Sequence, residues 1–355
     1  MLKILIHPLK DSSSTEVYIG EGLLKGSLLK EFFSTFKGKI IIIADSAIKD
    51  LYATDLSKQI GAELLTISSG EKIKTQETAS YLMDALFKMG TGKDSLLIAL
   101  GGGVTTDLVG FVASIYMRGI HLVLIPTTLL GIVDASIGGK TAIDTPFGKN
   151  LIGTIYPPKA IFIDLSSLQT LPAKEWFNGL AEILKMGLIH DASIWELAKT
   201  NEKDPTLTLK AIQGKIAIIE QDPNERSLRR ILNFGHTIGH ALETISQYAM
   251  AHGEAVALGC LAESHLSMHL GYLLEKDFKQ IETLYSLFSL KLPRAYTRTQ
   301  LFQAMAYDKK SSLGKTRFVL IDNIGHALPF EKAYCKEVSP HELESTLNWM
   351  EENYL

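Results

Sequence analysis

Residues 95–107 read Ser-Leu-Leu-Ile-Ala-Leu-Gly-Gly-Gly-Val-Thr-Thr-Asp. A short run that is apolar on both faces, stopped by glycines and followed by a helical pattern, predicts a buried strand turning straight into a helix. Similar runs lie at 40–44, 63–67, 122–125 and 160–163, each bounded by turn residues or charges. The pieces between them are long enough for helices. That alternation predicts βαβ units and a parallel sheet. From about Leu171 the texture becomes helical, with periodic segments at 173–189, 204–221, 236–248, 253–270 and 339–352. Segments 317–321 and 326–329 predict one hairpin turning through Asn323 and Gly325. The predicted architecture is an α/β domain with a parallel sheet over 1–170, then a mainly α-helical domain over 171–355. The boundary falls near 165–175, around Ser166, Ser167 and Pro172.

Composition narrows the function. A chain of 355 residues is long enough for two domains. Its hydrophobic share of 46% and charged share of 21% suit a globular protein. A net charge of −3 gives no footprint for nucleic acid. Any anionic ligand must therefore be held by local cations. The two cysteines, Cys260 and Cys335, make no disulfide framework, which implies a reducing, cytoplasmic setting. The N-terminus lacks the basic start and long apolar core of a signal peptide, and no apolar run reaches membrane-spanning length.

Several clusters carry chemistry. Gly101, Gly102 and Gly103 sit at a strand-to-helix switch, where a phosphate can approach the backbone and meet unpaired N–H groups. The spacing is not Gly-x-Gly-x-x-Gly, so the ordinary dinucleotide fingerprint is absent. Asp45 ends a strand, where a carboxylate can bond ribose hydroxyls or simply cap the next helix. Segment 126–141 places Asp134, Gly138, Gly139 and Lys140 in an apolar context, and Gly148-Lys149-Asn150 follows. Charges so embedded are costly unless paired or functional. Arg118, Lys140, Lys149, Lys185, Lys215, Arg229 and the Lys309-Lys310 pair are candidates for a cationic pocket, alongside ordinary solvated lysines.

The window 233–254 holds three of the ten histidines. His236 and His240 are spaced i, i+4, so on a helix they share a face that suits a metal; His252 follows before Gly253. Thr237 follows His236, so this is not the His-Glu-x-x-His of zinc proteases. A further ligand must come from elsewhere, and Glu182 is a candidate. Glu182 and Lys185 share one helix face at i, i+3. Such pairs are commonly solvated ion pairs, but the neighbours Leu180, Ala181, Ile183 and Leu184 are apolar. His265 and His269 form another i, i+4 pair with no matching carboxylate, and read as an ordinary helix face.

Taken together, these blocks resemble the 3-dehydroquinate synthases of the sugar-phosphate cyclase family. The matching blocks are Gly101-Gly-Gly-Val-x-x-Asp107-Leu, Tyr116-x-Arg118-Gly119, Pro126-Thr-Thr-Leu-Leu130, Val133-Asp134-x-Ser-x-Gly-Gly-Lys140-Thr, Gly148-Lys-Asn150, Gly179-Leu-Ala-Glu182-x-x-Lys185, Leu232-Asn-x-Gly-His236-Thr-x-Gly-His240-Ala, His252-Gly-Glu-Ala-Val256 and Asp308-Lys-Lys310. They run collinearly along nearly the whole chain.

The resemblance implies a parallel-sheet NAD domain, a helical metal domain and a homodimer. It implies conversion of 3-deoxy-arabino-heptulosonate 7-phosphate to 3-dehydroquinate and phosphate, a shikimate-route step in aromatic amino acid synthesis. NAD would be used catalytically: oxidation, phosphate elimination, reduction and aldol closure follow in turn. Glu182, His236 and His252 would ligate zinc, with cobalt as a substitute, and His240 would act on substrate hydroxyls beside it. Lys140, Asn150, Lys185, Lys215, Arg229, Asn233 and one of Lys309 and Lys310 would hold the sugar phosphate. Arg118 would reach the phosphate from the partner subunit. Asp45, Glu71, Lys74, Gly102, Gly103, Asp107, Thr127 and Thr128 would hold NAD, with Lys140 and Lys149 beside it and Asp134 at the nicotinamide end. Thr105-Thr106 and Ile132 depart from the family pattern and bear on cofactor affinity. Another cyclase making a cyclitol, an NAD-dependent polyol dehydrogenase and a non-catalytic binding protein are the competing readings.

Overall fold

The computed structural model describes residues 1–6, 14–307 and 316–355. The chain forms two compact units, Met1–Trp176 and Phe177–Leu355. In the first, the strands are β1 (Leu2–Ile6), β2 (Thr15–Gly20), β3 (Ile40–Asp45), β4 (Glu63–Ile67), β5 (Leu96–Gly101), β6 (His121–Pro126), β7 (Lys140–Thr145), β8 (Gly148–Ile155) and β9 (Ala160–Asp164). Among the described residues, seven of these form one sheet in the order β1-β2-β9-β6-β5-β3-β4. Neighbours from β2 to β4 run parallel, and β1 lies antiparallel on β2. The five apolar runs read from the sequence are β3, β4, β5, β6 and β9, as a parallel α/β unit requires.

Burial on both faces explains why β3, β5, β6 and β9 are so uniformly apolar, while the edge strand β4 exposes Glu63 and Thr66. Helices α1 (Ser27–Ser34) and α2 (Thr54–Ile60) cover one face, packing Leu29, Phe33 and Leu56 against Ile42, Ile98, Val123 and Phe162. Two longer helices follow, α3 (Gln76–Lys88) and α4 (Gly103–Ile115), and α4 packs against β5 and β6. After β3 the chain moves outward to β4; after β5 it moves the other way to β6. The strand order therefore reverses between β3 and β5. In open parallel sheets ligands bind at the carboxyl ends of the strands at such a reversal. Asp45 and Gly101–Gly103 stand there.

The sequence reading assigned no strand to 140–155, which is an antiparallel hairpin, β7 with β8. Lys140, Asp144, Lys149 and Asn150 broke the apolar pattern that marks a strand. Gly153 makes the pairing possible, since a Cβ there would lie 2.0 Å from the Thr141 carbonyl oxygen.

The second unit is built from α5 (Ala173–Ile189), whose first residues precede the division, α6 (Ala192–Thr200), α7 (Pro205–Gln221), α8 (His236–Ile245), α9 (His252–His269), α10 (Glu275–Tyr285), α11 (Arg298–Tyr307) and α12 (Pro340–Tyr354). Helix α9 is buried along nearly its whole length, and packs Leu258 and Leu266 into a core shared with α8 and α12. On that helix His265 is buried and stacked on Trp349, while His269 faces outward. The single hairpin expected over 317–329 is two separate pairings. Thr316–Phe318 pairs with Lys336–Val338, and Ile321–Asn323 pairs with His326–Ala327. Buried Val319 and Leu320 interrupt the strand between them.

Helices α8 and α9 approach through glycine. A Cβ on Gly259 would lie 1.8 Å from the Gly235 carbonyl oxygen. Only a backbone shift can relieve such a clash. Gly259→Ala is expected to cost about 3 kcal/mol or more, read from the denaturant midpoint of the purified protein. An unchanged midpoint would refute the close crossing.

Candidate active site

The second unit gathers a carboxylate and three imidazoles. Helix α5 carries Glu182 and Lys185 on its buried face, and both side chains are only 2% exposed. The solvated ion-pair reading therefore fails. The two groups are in direct contact, and the Lys185 ammonium also donates to the Leu232 carbonyl at 2.8 Å. Gly235, at φ 78, turns the chain into α8, so that His236 opens the helix. A Cβ on Gly235 would strike the Cys260 sulfur at 2.5 Å. His252 opens α9, where Gly253 N–H donates to Asn178 Oδ1 at 2.5 Å.

The Nε2 atoms of His236 and His252 each lie 3.4 Å from Glu182 Oε1. One ligand atom from each of the three residues falls within 4.8 Å of the others. The remaining ring nitrogens are committed elsewhere. His236 Nδ1 lies 3.1 Å from the Phe234 carbonyl, which can only accept, so Nδ1 carries the proton and Nε2 offers its lone pair to the cluster. His252 Nδ1 lies 3.3 Å from Glu243 Oε2. A carboxylate behind an imidazole in this way fixes the ring and raises its basicity. Glu182 Oε2 meets the Lys185 ammonium, and Oε1 faces the two imidazoles. A buried carboxylate with two imidazole nitrogens facing it fits a tetrahedral cation with an open position. His240 stands one turn on, its ring 5.1 Å from that of His236 and 6.3 Å from that of His252. It groups with Glu243 and His252 rather than with Glu182.

Burial would raise the Glu182 carboxyl, but the Lys185 charge and then His236 overcome it and hold it well below its ordinary value. Burial pushes His236 down to about 4, and Lys185 adds to the effect. Burial opposes the charge on His252 as well, yet Glu243 and then Glu182 push it up to about 10.

The unit buries further cations. Lys215 on α7 and Arg229 are both buried, and Arg229 Nη1 donates to the Pro223 carbonyl at 2.8 Å. The Asp222 carboxylate shapes the loop before Arg229, accepting N–H bonds from Arg226, Ser227 and Arg229 at 2.9, 2.7 and 3.1 Å. Asn233 Nδ2 donates to Glu225 Oε1 at 2.7 Å, with Glu225 in left-handed backbone at φ 55. Lys309 and Lys310 lie outside the described residues. The sequence reading missed Asn178, Asp222, Glu225 and Glu243. Glu243 was within reach, since it follows His236 and His240 at i+7 and i+3 on their helix face. The other three act through loop geometry that leaves no periodic signal.

The first unit holds a separate polar network. The buried Lys74 ammonium donates to Asp107 Oδ2 at 2.6 Å and to Asn150 Oδ1 at 2.5 Å. Lys149 lies 3.6 Å from Glu71. Burial would lower the Lys74 ammonium, but Asp107 and then Glu71 hold it above its ordinary value. At the sheet reversal, Gly102 precedes α4 with no side-chain cap, which suits a phosphate at the helix start. A Cβ on Gly102 would press on Thr128 Cγ2 at 3.1 Å, and one on Gly103 on Ala135 at the same distance. Thr127 N–H donates to the Gly101 carbonyl at 2.9 Å. Thr105 and Thr106 are buried in α4, and the Thr106 hydroxyl donates back to the Gly103 carbonyl at 2.9 Å. Asp45 caps the following turn, accepting from Ala47 N–H at 2.8 Å, and it also meets the Ser69 hydroxyl. Asp134 is half-buried in the turn Gly131–Ala135, and Lys140 is exposed at the start of β7. Among the described residues Arg118 joins neither network; it is exposed, in left-handed backbone at φ 64.

The role of Glu243 is testable alone. Glu243→Gln is expected to weaken zinc binding about 10- to 100-fold, measured by competition with a chelator, while the fold is retained. Wild-type affinity would detach Glu243 from the metal cluster.

Comparison with known proteins gives a consistent result. Residues 64–178 match the family model described as 3-dehydroquinate synthase N-terminal, and residues 179–311 match 3-dehydroquinate synthase C-terminal. The chain is 39% identical over 347 residues to the 3-dehydroquinate synthase of Thermodesulfovibrio yellowstonii, covering 93% of each chain. Among solved structures it is similar to 2-epi-5-epi-valiolone synthase from Streptomyces hygroscopicus with NAD+ and Zn2+ bound. That match has a TM-score of 0.85 and 30% identity over 97% of this chain and 98% of that one. The fold is shared with 2-deoxy-scyllo-inosose synthase complexed with carbaglucose-6-phosphate, NAD+ and Co2+. There the TM-score is 0.86 and the identity 24%, over 98% of this chain and 100% of that one.

Proposed function

The chain belongs to the 3-dehydroquinate synthase family, and from that premise we propose which of its residues do the work. The enzyme is a carbon–oxygen lyase that converts 3-deoxy-arabino-heptulosonate 7-phosphate to 3-dehydroquinate and phosphate. The observation that carries the assignment of roles is the convergence of Glu182, His236 and His252. These three hold zinc, or cobalt in its place, and a bound metal there supplies Lewis acidity toward substrate hydroxyls. His240 exchanges protons with those hydroxyls through its imidazole. Lys185 keeps the Glu182 carboxylate ionised, and Glu243 keeps the His252 ring in place. Lys185, Lys215, Arg229 and Asn233 bind the acid, hydroxyl and phosphate groups of the sugar.

Residues 1–170 form the NAD-binding domain, and 171–355 form the metal- and substrate-binding domain. Asp45, Glu71, Lys74, Gly102, Gly103, Asp107, Thr127, Thr128, Asp134 and Lys149 would hold NAD, which would supply reversible hydride transfer there. Lys140 and Asn150 bind substrate, and Lys140 also borders the cofactor. The position of Gly102 at the strand reversal supports this reading.

Arg118 serves the active site of a partner copy, in a homodimer. Its exposure supports that role, as does the apolar surface of the β7–β8 hairpin, where Phe147 is 92% exposed and Ile155 60% exposed. Two copies could bury such a patch. Among the described residues no helix is long and apolar enough to cross a membrane; we place the enzyme in the cytoplasm.

Incubation with the heptulosonate phosphate and NAD should release phosphate and dehydroquinate in equal amounts, with no build-up of NADH. Steady NADH accumulation would identify a dehydrogenase. His252→Ala should lose zinc and turnover while staying folded; full metal occupancy would remove His252 from the ligand set. Mixing Arg118→Ala with His252→Ala should restore some activity, and no recovery in mixed dimers would refute the shared site.

A further inference from the structure

Asp144 sits where the β7–β8 ladder loses its register, between the paired positions Ile143 and Thr145. A bulge of this kind re-aims the groups it frees. The Asp144 N–H donates to the Lys74 carbonyl at 2.7 Å. Its Oδ1 accepts the backbone N–H of Asn150 at 2.9 Å. Asn150 is held there in left-handed backbone at φ 55, which a non-glycine residue adopts only at a cost. The same Asn150 turns its side-chain oxygen to the Lys74 ammonium at 2.5 Å. Asp144 thus holds both ends of one short circuit: the backbone of Lys74 and the backbone of Asn150.

We propose that Asp144 is a positioning residue for the cyclase reaction, fixing the strained backbone of Asn150 so that its side-chain amide is presented to substrate. The inference rests on the assignment of Asn150 to the substrate made above. It needs no contact between Asp144 and any ligand. Without the carboxylate, the Asn150 N–H has no acceptor at that point, and the left-handed conformation loses the bond that offsets its strain.

The charge state of Asp144 gives a second handle. Burial pushes its carboxyl up to about 6, opposed by the Asn150 N–H and by Lys74, and reinforced by Glu71. The charged groups that act on it are Lys74 and Glu71 on the loop before α3, which are paired in turn with Asp107 on α4 and Lys149 on β8. A raised carboxyl is ionised above about 6 and neutral below. The acceptor strength of Asp144 therefore falls as pH drops through about 6, and the hold on Asn150 loosens in the same direction.

The test uses the full-length zinc-loaded enzyme and three readouts: the KM for the heptulosonate phosphate and kcat at saturating NAD, and the Kd of NAD by calorimetry on NAD-free enzyme. Asp144→Ala should raise the substrate KM about tenfold or more, as expected for a lost charge-assisted bond. Its kcat and its NAD affinity should change less than about threefold by the same reasoning. Asp144→Asn keeps an oxygen acceptor of the same shape and should restore most of the loss. The substrate phosphate also titrates near this pH, so the pH readout is the KM ratio of wild type to Asp144→Asn. That ratio should rise as pH falls from 7.5 to 5.5, because the variant cannot titrate there. An unchanged KM in Asp144→Ala would overturn the proposal. So would equal impairment of Asp144→Asn and Asp144→Ala, a parallel loss of NAD binding and thermal stability, or a flat KM ratio. If wild-type enzyme makes no dehydroquinate, the functional reading fails instead, and the two failures cannot be confused.

Discussion

A carboxylate buried to 2% exposure in an apolar helix is the constraint on which the helical unit turns. Glu182 cannot stay ionised in such surroundings by itself, because desolvation alone would neutralise it. The structure answers with Lys185 on the same helix face and with two imidazoles brought in from the starts of α8 and α9. Each partner has its own anchor: Leu232 for Lys185, Phe234 for His236, Glu243 for His252. Breaking a buried pair by removing one partner typically costs about 3–5 kcal/mol. The side chains proposed to hold the metal are therefore also side chains that the fold needs in place.

The first unit meets a similar demand differently. Lys74 is a buried cation shared between Asp107 on α4 and Asn150 on the β7–β8 hairpin. Its network ties the loop before α3, the start of α4 and the hairpin into one polar cluster. The strand order reverses between β3 and β5, and at Gly102 and Gly103 after β5 a Cβ would press on Thr128 and Ala135.

What could be read from the sequence follows from the physics of each element. Strands β3, β5, β6 and β9 were legible because a strand covered on both faces has to be apolar at nearly every position. The β7–β8 hairpin was not, because the polar side chains of Lys140, Asp144 and Asn150 erase its alternation. Thr316–Phe318 was assigned the wrong partner because strand pairing over long separation leaves no local mark. The histidine spacing pointed to a metal but left open which imidazoles would meet Glu182. The backbone turn at Gly235 aims His236 at Glu182, and no spacing rule encodes a turn. The collinear blocks were far more informative than any one of them, since chance rarely preserves order over a whole chain. Asp222 and Glu225 stayed hidden because a carboxylate that folds a loop looks like any solvated acid.

The crossing of α8 and α9 through Gly235 and Gly259 sets the separation of His236 and His252 by backbone touching backbone. Most helix pairs are spaced by side chains, and their distance drifts whenever a leucine becomes a valine or a methionine. Here the spacer is the main chain itself, the same in every sequence that keeps the two glycines. The hydrophobic residues around it are thereby released from any duty to hold the histidines apart. They can be exchanged while the gap between the two imidazoles stays as wide as before.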